Sequence, residues 1–255
     1  MTPFGAEEMS ETEPPENPDF QPRSLPLQDL ALPDPGVVHL WFMDLVELGN
    51  PLDPTAGIDR ARFTPPQQRT LRRFYLRLLL GAYMGLPGKD VSISRAVRGK
   101  PMLDRRVHEP VLDFSLANSD GCCLVGVTSG ALIGVDLELL GRRAGKPMSL
   151  AKRYFSEPEQ AELAAIEAAR QDEAFLYAWA CKEAVVKAAG HGIANRLCRF
   201  TVNVSPESPP AITAMDDDEP AEWRMAVFRP GERHLGAIAV RNRALVLEGF
   251  RLVGR

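Results

Sequence analysis

Apolar and polar positions along the chain follow two periods. From Gly36, the run VVHLWFMDLVEL is rich in β-branched and aromatic residues and predicts a first strand. Over residues 68–85, Leu71, Phe74, Tyr75, Leu78, Leu79 and Ala82 recur at helical spacing, while Arg69, Arg73 and Arg77 stack at i, i+4, i+8 on another side. Val91 and Ile93 alternate in a short strand over 90–96, and RGKPM at 98–102 makes a turn. Two apolar runs, 122–127 and 131–139, flank Thr128-Ser129-Gly130, which predicts that they pair as a hairpin. Ser156 and Glu159 stand at capping-box spacing and open a helix to about residue 169; a second runs over about 172–189 and stops at Gly190. The β pattern returns at 200–204, 222–228, 234–240 and 244–250. Strands, then helices, then strands, with no internal repeat, predict the α+β class.

Composition alters this picture at one end. Residues 1–35 hold eight Asp or Glu against one basic residue, Arg23, and eight of the 22 prolines. So polar a segment reads as a disordered, acidic, Pro-rich tail, either an inert solubilising piece or one that folds back over a basic cleft. The other 220 residues carry 29 basic and 26 acidic side chains, too small an excess for a nucleic-acid-binding patch. The first residues lack the basic and apolar regions of a secretory signal. Thr128, Ser129, Asp136 and Glu138 interrupt the longest apolar stretch, 122–140, and no membrane span is expected. Cys122, Cys123, Cys181 and Cys198 form no CxxC pair, and a buried, reduced state is expected of the adjacent Cys122 and Cys123. A cytoplasmic protein with no nucleic-acid or membrane partner is predicted.

Two segments could carry chemistry. Asp136 and Glu138, at i and i+2 of a strand, point to one face roughly 7 Å apart. Either they hold an oxygen-liganded cation such as Mg²⁺, or both point outward from a strand buried on its other side. Trp179, Glu183 and Lys187 share one helix face. Glu183 and Lys187 are either a surface ion pair or a carboxylate for a metal and an ammonium for a phosphate, one turn apart. Lys182 lies off that face.

Read together, the strand Gly134-Val135-Asp136-Leu137-Glu138 and the helix Trp179–Lys187 (W-x-x-K-E-A-x-x-K) resemble the 4′-phosphopantetheinyl transferases of the Sfp type. Gly99-Lys100-Pro101 looks like the family's G-[KR]-P. Residues 114–119 (FSLANS) stand where it has F-N-x-S-H-S. Residues 152–156 with Glu159 look like R-[FY]-F-S-x-x-E, and Gly190-His191-Gly192-Ile193 like G-x-G-[IL]. The resemblance spans roughly residues 37–204.

The resemblance implies two similar α+β lobes related by a pseudo-twofold, here 36–140 and 141–255, with the active site in the cleft between them. It implies transfer of the 4′-phosphopantetheine arm of coenzyme A to a serine of an apo acyl or peptidyl carrier protein, with Mg²⁺ required and 3′,5′-ADP released, by a monomer. Asp136, Glu138 and Glu183 would hold Mg²⁺. Glu183 would also be the general base, directly or through a water. Lys187 would meet the diphosphate, and Lys100 and Arg77 the adenylate and its 3′-phosphate. Asn118 and Ser119 complete the implied cofactor set, with one departure: the family's S-H is Ala117-Asn118 here. Its histidine is normally a partner of the 3′-phosphate, whereas Asn118 can donate a hydrogen bond but carries no charge. No role is implied for His39, His108, His191 or His234. The alternative is a non-catalytic CoA- or carrier-protein-binding protein on the same scaffold, against which the three acidic residues speak. No GxxxxGK[ST] or GxGxxG segment supports a nucleotide phosphotransferase of another class.

Overall fold

The structure is a computed structural model that describes residues 17–51, 57–96, 99–141, 146–190, 197–216, 218–242 and 244–254. In chain order its elements are β1 (Phe20–Ser24), β2 (Val37–Asp44), α1 (Leu45–Leu48), α2 (Pro65–Met84), β3 (Ile93–Arg95), β4 (Pro101–Leu103), β5 (Asp113–Ser119), β6 (Cys122–Thr128), β7 (Leu132–Leu139), α3 (Pro147–Tyr154), α4 (Glu157–Ala165), α5 (Gln171–Ala188), β8 (Phe200–Val202), β9 (Ile212–Met215), β10 (Trp223–Gly231), β11 (His234–Arg241) and β12 (Val246–Val253). The mixed α+β composition matches the prediction.

Two sheets organise these elements, one ordered β1-β12-β2-β6-β5 and the other β10-β11-β7. Strand alternation decides what each face meets. Trp41, Met43, Cys123 and Val125 of the first sheet pack on Leu71, Tyr75 and Leu79 of α2. Leu40, Phe42 and Leu124, on its other face, pack on Ile133, Val135 and Leu137 of β7 and Ile238 of β11. The far face of the second sheet, with Met225, Ala237 and Ala239, is covered by Ala180, Ala184 and Ala188 of α5. Each long helix thus backs one sheet, and the two sheets face each other across a shared core. No helix among the described residues is long and apolar enough to cross a membrane.

The structure corrects three expectations. The runs on either side of Ser129-Gly130 do not form a hairpin: β6 pairs with β2 and β5, and β7 pairs with β11. Both runs are buried on two faces, so their apolar pattern does not encode partners. The hairpin is β5–β6, closed by Asp120-Gly121, both at positive φ (46° and 77°), as a two-residue turn requires. A chain cut at residue 140 does not separate the sheets either. β7 lies in the second sheet, and β12 inserts between β1 and β2 in the first. Finally, the segment read as a tail is not structureless throughout. Phe20–Ser24 runs parallel to β12, and Phe20 packs against Phe228 and Phe42 with ring centroids 5.9 and 6.5 Å away.

A smaller difference concerns β2, which ends at Asp44 although apolar residues continue. The Asp44 carboxylate accepts from Val46 N at 2.9 Å and Glu47 N at 3.3 Å, turning the chain into α1.

Candidate active site between β7 and α5

Alternation along β7 sends Ile133, Val135 and Leu137 into the core between the sheets and turns Gly134, Asp136 and Glu138 towards α5. The carboxylates do not face solvent: Asp136 is 6% exposed and Glu138 9%. Gly134 is what lets the helix approach. A Cβ there would stand 1.9 Å from Ala184 O and 2.4 Å from Ala188 N, both rigid helix backbone. Gly134→Ala is therefore expected to push α5 off β7 and cost about 3 kcal/mol in a urea unfolding midpoint. An unchanged midpoint would show that the helix can yield.

α5 contributes Glu183, 5% exposed, and Lys187 one turn later. The Lys187 ammonium bonds Asp136 Oδ1 at 2.6 Å, so it reaches across to β7 rather than along its own helix. Asp136 Oδ2 and Glu183 Oε1 are buried without a hydrogen-bond partner among the described residues. Burial first, and then the negative charge of Asp136, push Glu183 up to about 7; Glu138 adds to the rise and Lys187 opposes it. Two orphaned carboxylate oxygens beside a third carboxylate suit a hard, oxygen-liganded cation. No three His, Cys, Asp or Glu side chains among the described residues are drawn into a closed metal-holding group. Here the Lys187 ammonium provides the cation at Asp136.

The shift makes a pH prediction for the metal-free protein. Folded Glu183 holds its proton more tightly than the unfolded chain does, so its contribution is full below the ordinary value of 4.5 and gone above about 7. Stability is expected to fall by up to about 3 kcal/mol as pH rises through that window. Glu183→Gln should flatten the slope in unfolding curves measured at pH 4.5 to 8, and a slope unaltered by the substitution would place its origin elsewhere.

The remaining predicted residues line the seam between β5 and the free edge of β7. Ser115 Oγ accepts from Val135 N at 3.1 Å, and Lys100 Nζ donates to Ile133 O at 2.8 Å. Burial lowers the Lys100 pKa, with Asp113 opposing. Asn118 Oδ1 accepts from Arg72 Nη1 at 2.8 Å. Ser119 precedes the Asp120-Gly121 turn, which is clamped by Arg60 Nη1 on Asp120 O at 2.6 Å, by the Arg60–Asp44 pair and by Arg233 on Asp120 at 2.9 Å. Arg77 sits half-buried on α2 with no hydrogen bond or ion pair among the described residues, and no contact links it to the carboxylates. The structure thus gathers Asp136, Glu138, Glu183 and Lys187, strings Lys100, Asn118 and Ser119 along the seam, and leaves Arg77 apart.

Other expectations settle into structural roles. Trp179 stacks on Phe175 at 5.8 Å and meets Tyr154 edge-on. Lys182 points away from the site into a buried pair with Glu159. His39 bonds Tyr83, His108 accepts from Ser92 N, and His234 is buried with a lowered pKa. Gly190 ends α5 at φ 65°, while His191-Gly192-Ile193 lie outside the described residues. Arg72 escaped the sequence reading. It adjoins Arg73 of the basic stripe but belongs to another side of the helix, and only the tertiary contact with Asn118 singles it out.

Comparison with known proteins gives consistent matches. A family profile described as the 4′-phosphopantetheinyl transferase superfamily matches residues 132–239, a span that includes Asp136, Glu138, Glu183 and Lys187. The 4′-phosphopantetheinyl transferase HetI of Nostoc sp. is 34% identical over 213 residues, covering 80% of this chain and 87% of that protein. The 4′-phosphopantetheinyl transferase psf-1 of Bacillus pumilus is 31% identical over 168 residues, covering 65% and 68%. The 4′-phosphopantetheinyl transferase Sfp of Bacillus subtilis is 26% identical over 184 residues, covering 66% and 78%.

Proposed function

The chain belongs to the 4′-phosphopantetheinyl transferase superfamily, and from that membership we propose that it moves the 4′-phosphopantetheine arm of coenzyme A onto a serine of an apo acyl or peptidyl carrier protein, releasing 3′,5′-ADP. The observation that carries the reading is the buried set at the β7–α5 contact: Asp136, Glu138, Glu183 and Lys187, with two carboxylate oxygens that have no partner among the described residues. A carrier-binding scaffold without catalysis has no use for three converging carboxylates, which cost folding energy to bury.

In the proposed reaction the serine Oγ attacks the β-phosphorus of the CoA diphosphate. The bond from that phosphorus to the bridging oxygen breaks, and 3′,5′-ADP leaves with the bond's electron pair. Glu183 takes the serine proton, directly or through a water. Burial and the Asp136 charge raise the Glu183 pKa in the metal-free protein, which favours this carboxylate as the proton acceptor. Lys187 supplies positive charge for the diphosphate, and its flexible stem lets it exchange Asp136 for a phosphate oxygen. Asp136, Glu138 and Glu183 would hold Mg²⁺, which when bound neutralises charge on the diphosphate and orients it. Lys100 and Ser119, on the seam, fit contacts to the adenylate end; Arg77 would need to be brought in by the ligand.

The test is intact-mass measurement of apo acyl and apo peptidyl carrier proteins after incubation with the protein, CoA and Mg²⁺. A gain of one phosphopantetheine arm is expected, dependent on all three components. No gain across several carriers, with CoA binding retained, would favour the non-catalytic alternative.

A further inference from the structure

We propose that Ser115 and His234 are positioning residues for the transfer: each bridges β5 to the second sheet, at opposite ends of one seam, and together they set the width of the cleft that CoA has to span. The inference rests on the transfer reading, because it takes CoA as the ligand, and it gives neither residue a contact with that ligand.

The seam is where the two sheets meet edge to edge. β5 is the last strand of the first sheet and β7 the last of the second. No strand pairing joins them among the described residues, since β5 pairs with β6 and β7 with β11. A backbone ladder would by itself hold two edges about 4.8 Å apart; here the spacing falls to side chains. Alternation along β5 turns Phe114 and Leu116 to the α2 side and Ser115 and Ala117 to the second sheet. At one end Ser115 Oγ accepts from Val135 N at 3.1 Å. At the other end the Ser119 carbonyl accepts from the His234 ring, and His234 lies opposite Leu139 in the β7–β11 pairing. The step from Ser115 to Ser119 equals the step from Val135 to Leu139, so β5 and β7 run in the same direction and keep one register between the two bridges.

Both bridges lie in the interior. Ser115 is 2% exposed and His234 3%. Nε2 of His234 has no hydrogen-bond partner among the described residues, so the nitrogen that donates to Ser119 is Nδ1. The ring rests against Phe42, 5.8 Å between centroids. Other links over the seam differ in kind. The Arg233–Asp120 pair is open to solvent, and such pairs hold little. Lys100 Nζ reaches Ile133 O from the β3–β4 turn and not from β5. The groups proposed to meet CoA stand on both sides: Asp136 and Glu138 on β7, and Ser119 at the end of β5. The width of the seam therefore decides whether one ligand can touch both. The chemistry stands on one side only, because Asp136, Glu138, Glu183 and Lys187 all belong to β7 and α5. A slack bridge should weaken the hold on CoA and spare the bond-making step.

The experiment measures KM for CoA and kcat with one apo carrier protein, and CoA affinity by calorimetry. His234→Phe keeps a ring against Phe42 and removes the donor, whereas His234→Asn puts an amide N–H where Nδ1 stands. In His234→Phe the KM for CoA is expected to rise on the order of tenfold with kcat close to native, and His234→Asn should recover most of the native KM. Ser115→Ala, which removes one oxygen and adds no bulk, should move KM in the same direction from the other bridge. A native KM in His234→Phe or in Ser115→Ala overturns the inference. An equal rise in His234→Phe and His234→Asn also overturns it, because the lost donor is then not the cause, and so does a fall in kcat with KM unmoved. Calorimetry needs no turnover and so separates this failure from failure of the transfer reading. CoA binding that weakens in His234→Phe and returns in His234→Asn supports the two spacers even where no arm is transferred; equal affinity in the native protein and His234→Phe overturns them.

Discussion

Glu183→Gln is expected to lower the rate of arm transfer by at least about 100-fold while leaving the protein folded. Glutamine matches glutamate in shape but accepts no proton and brings no charge to a cation. Structural damage is not the cause, because at this site the uncharged form is already the better tolerated one. Burial and the Asp136 charge raise the Glu183 pKa to about 7, so above that pH the native fold carries a strained carboxylate and the amide relieves it. The variant should thus be as stable as the native protein, or more so, at pH 8 in the metal-free state. Opposite movements in stability and rate separate a group held for chemistry from one held for packing. Single-turnover transfer to an apo carrier protein, read by intact mass beside a urea unfolding curve, gives both numbers. A native rate would remove Glu183 from the mechanism, and a parallel loss of stability would give it a structural role.

Much of this site is local in origin and is legible in the sequence. The helical spacing of Leu71, Tyr75 and Leu79 marks α2, and Ser156 with Glu159 marks the start of α4. Asp136 and Glu138 had to share a face because a strand repeats every two residues. Which face they take is set by tertiary structure, and alternation alone left burial and exposure equally open. The available local signal was Gly134, since a glycine inside a strand marks the close approach of another backbone. Partner choice among strands was not legible. β6 and β7 are similar apolar runs separated by a turn-like Thr-Ser-Gly, yet they pair in different sheets. The insertion of β12 between β1 and β2 joins segments some 200 residues apart that carry no mark of each other. Lys187 illustrates the same limit: its helix spacing pointed to Glu183, and its ammonium went to Asp136 on β7. The resemblance to the transferase family supplied roles for residues whose mutual geometry no local pattern encodes.

Lys182→Met is expected to destabilise the protein by about 3–5 kcal/mol, among the largest effects of any single substitution away from the chemistry. Lys182 and Glu159 are both fully buried. The ammonium bonds the two Glu159 oxygens at 2.6 and 2.8 Å and Phe200 O at 2.7 Å, with the Phe200 ring centroid 4.2 Å away. Glu159 also accepts from Ser156 N at 2.8 Å and Val202 N at 2.7 Å. One ion pair therefore ties the start of α4, the middle of α5 and β8 together. Burial lowers the Lys182 pKa and Glu159 opposes that, so the pair survives only because each charge answers the other. Methionine fills the stem's space but leaves a carboxylate uncompensated in a dry interior. Lys182→Met with Glu159→Leu should recover part of the loss, since the stranded charge goes too, though Ser156 N and Val202 N then lose their acceptor. A single variant with a native urea midpoint would refute the account. The same anchor bears on the chemistry. Successive helix residues point about 100° apart, so Lys182 held in its pair sets the rotation of α5 that aims Glu183 at β7. Whatever fraction of Lys182→Met stays folded should accordingly transfer the arm more slowly than the native protein, although residue 182 never meets the substrate.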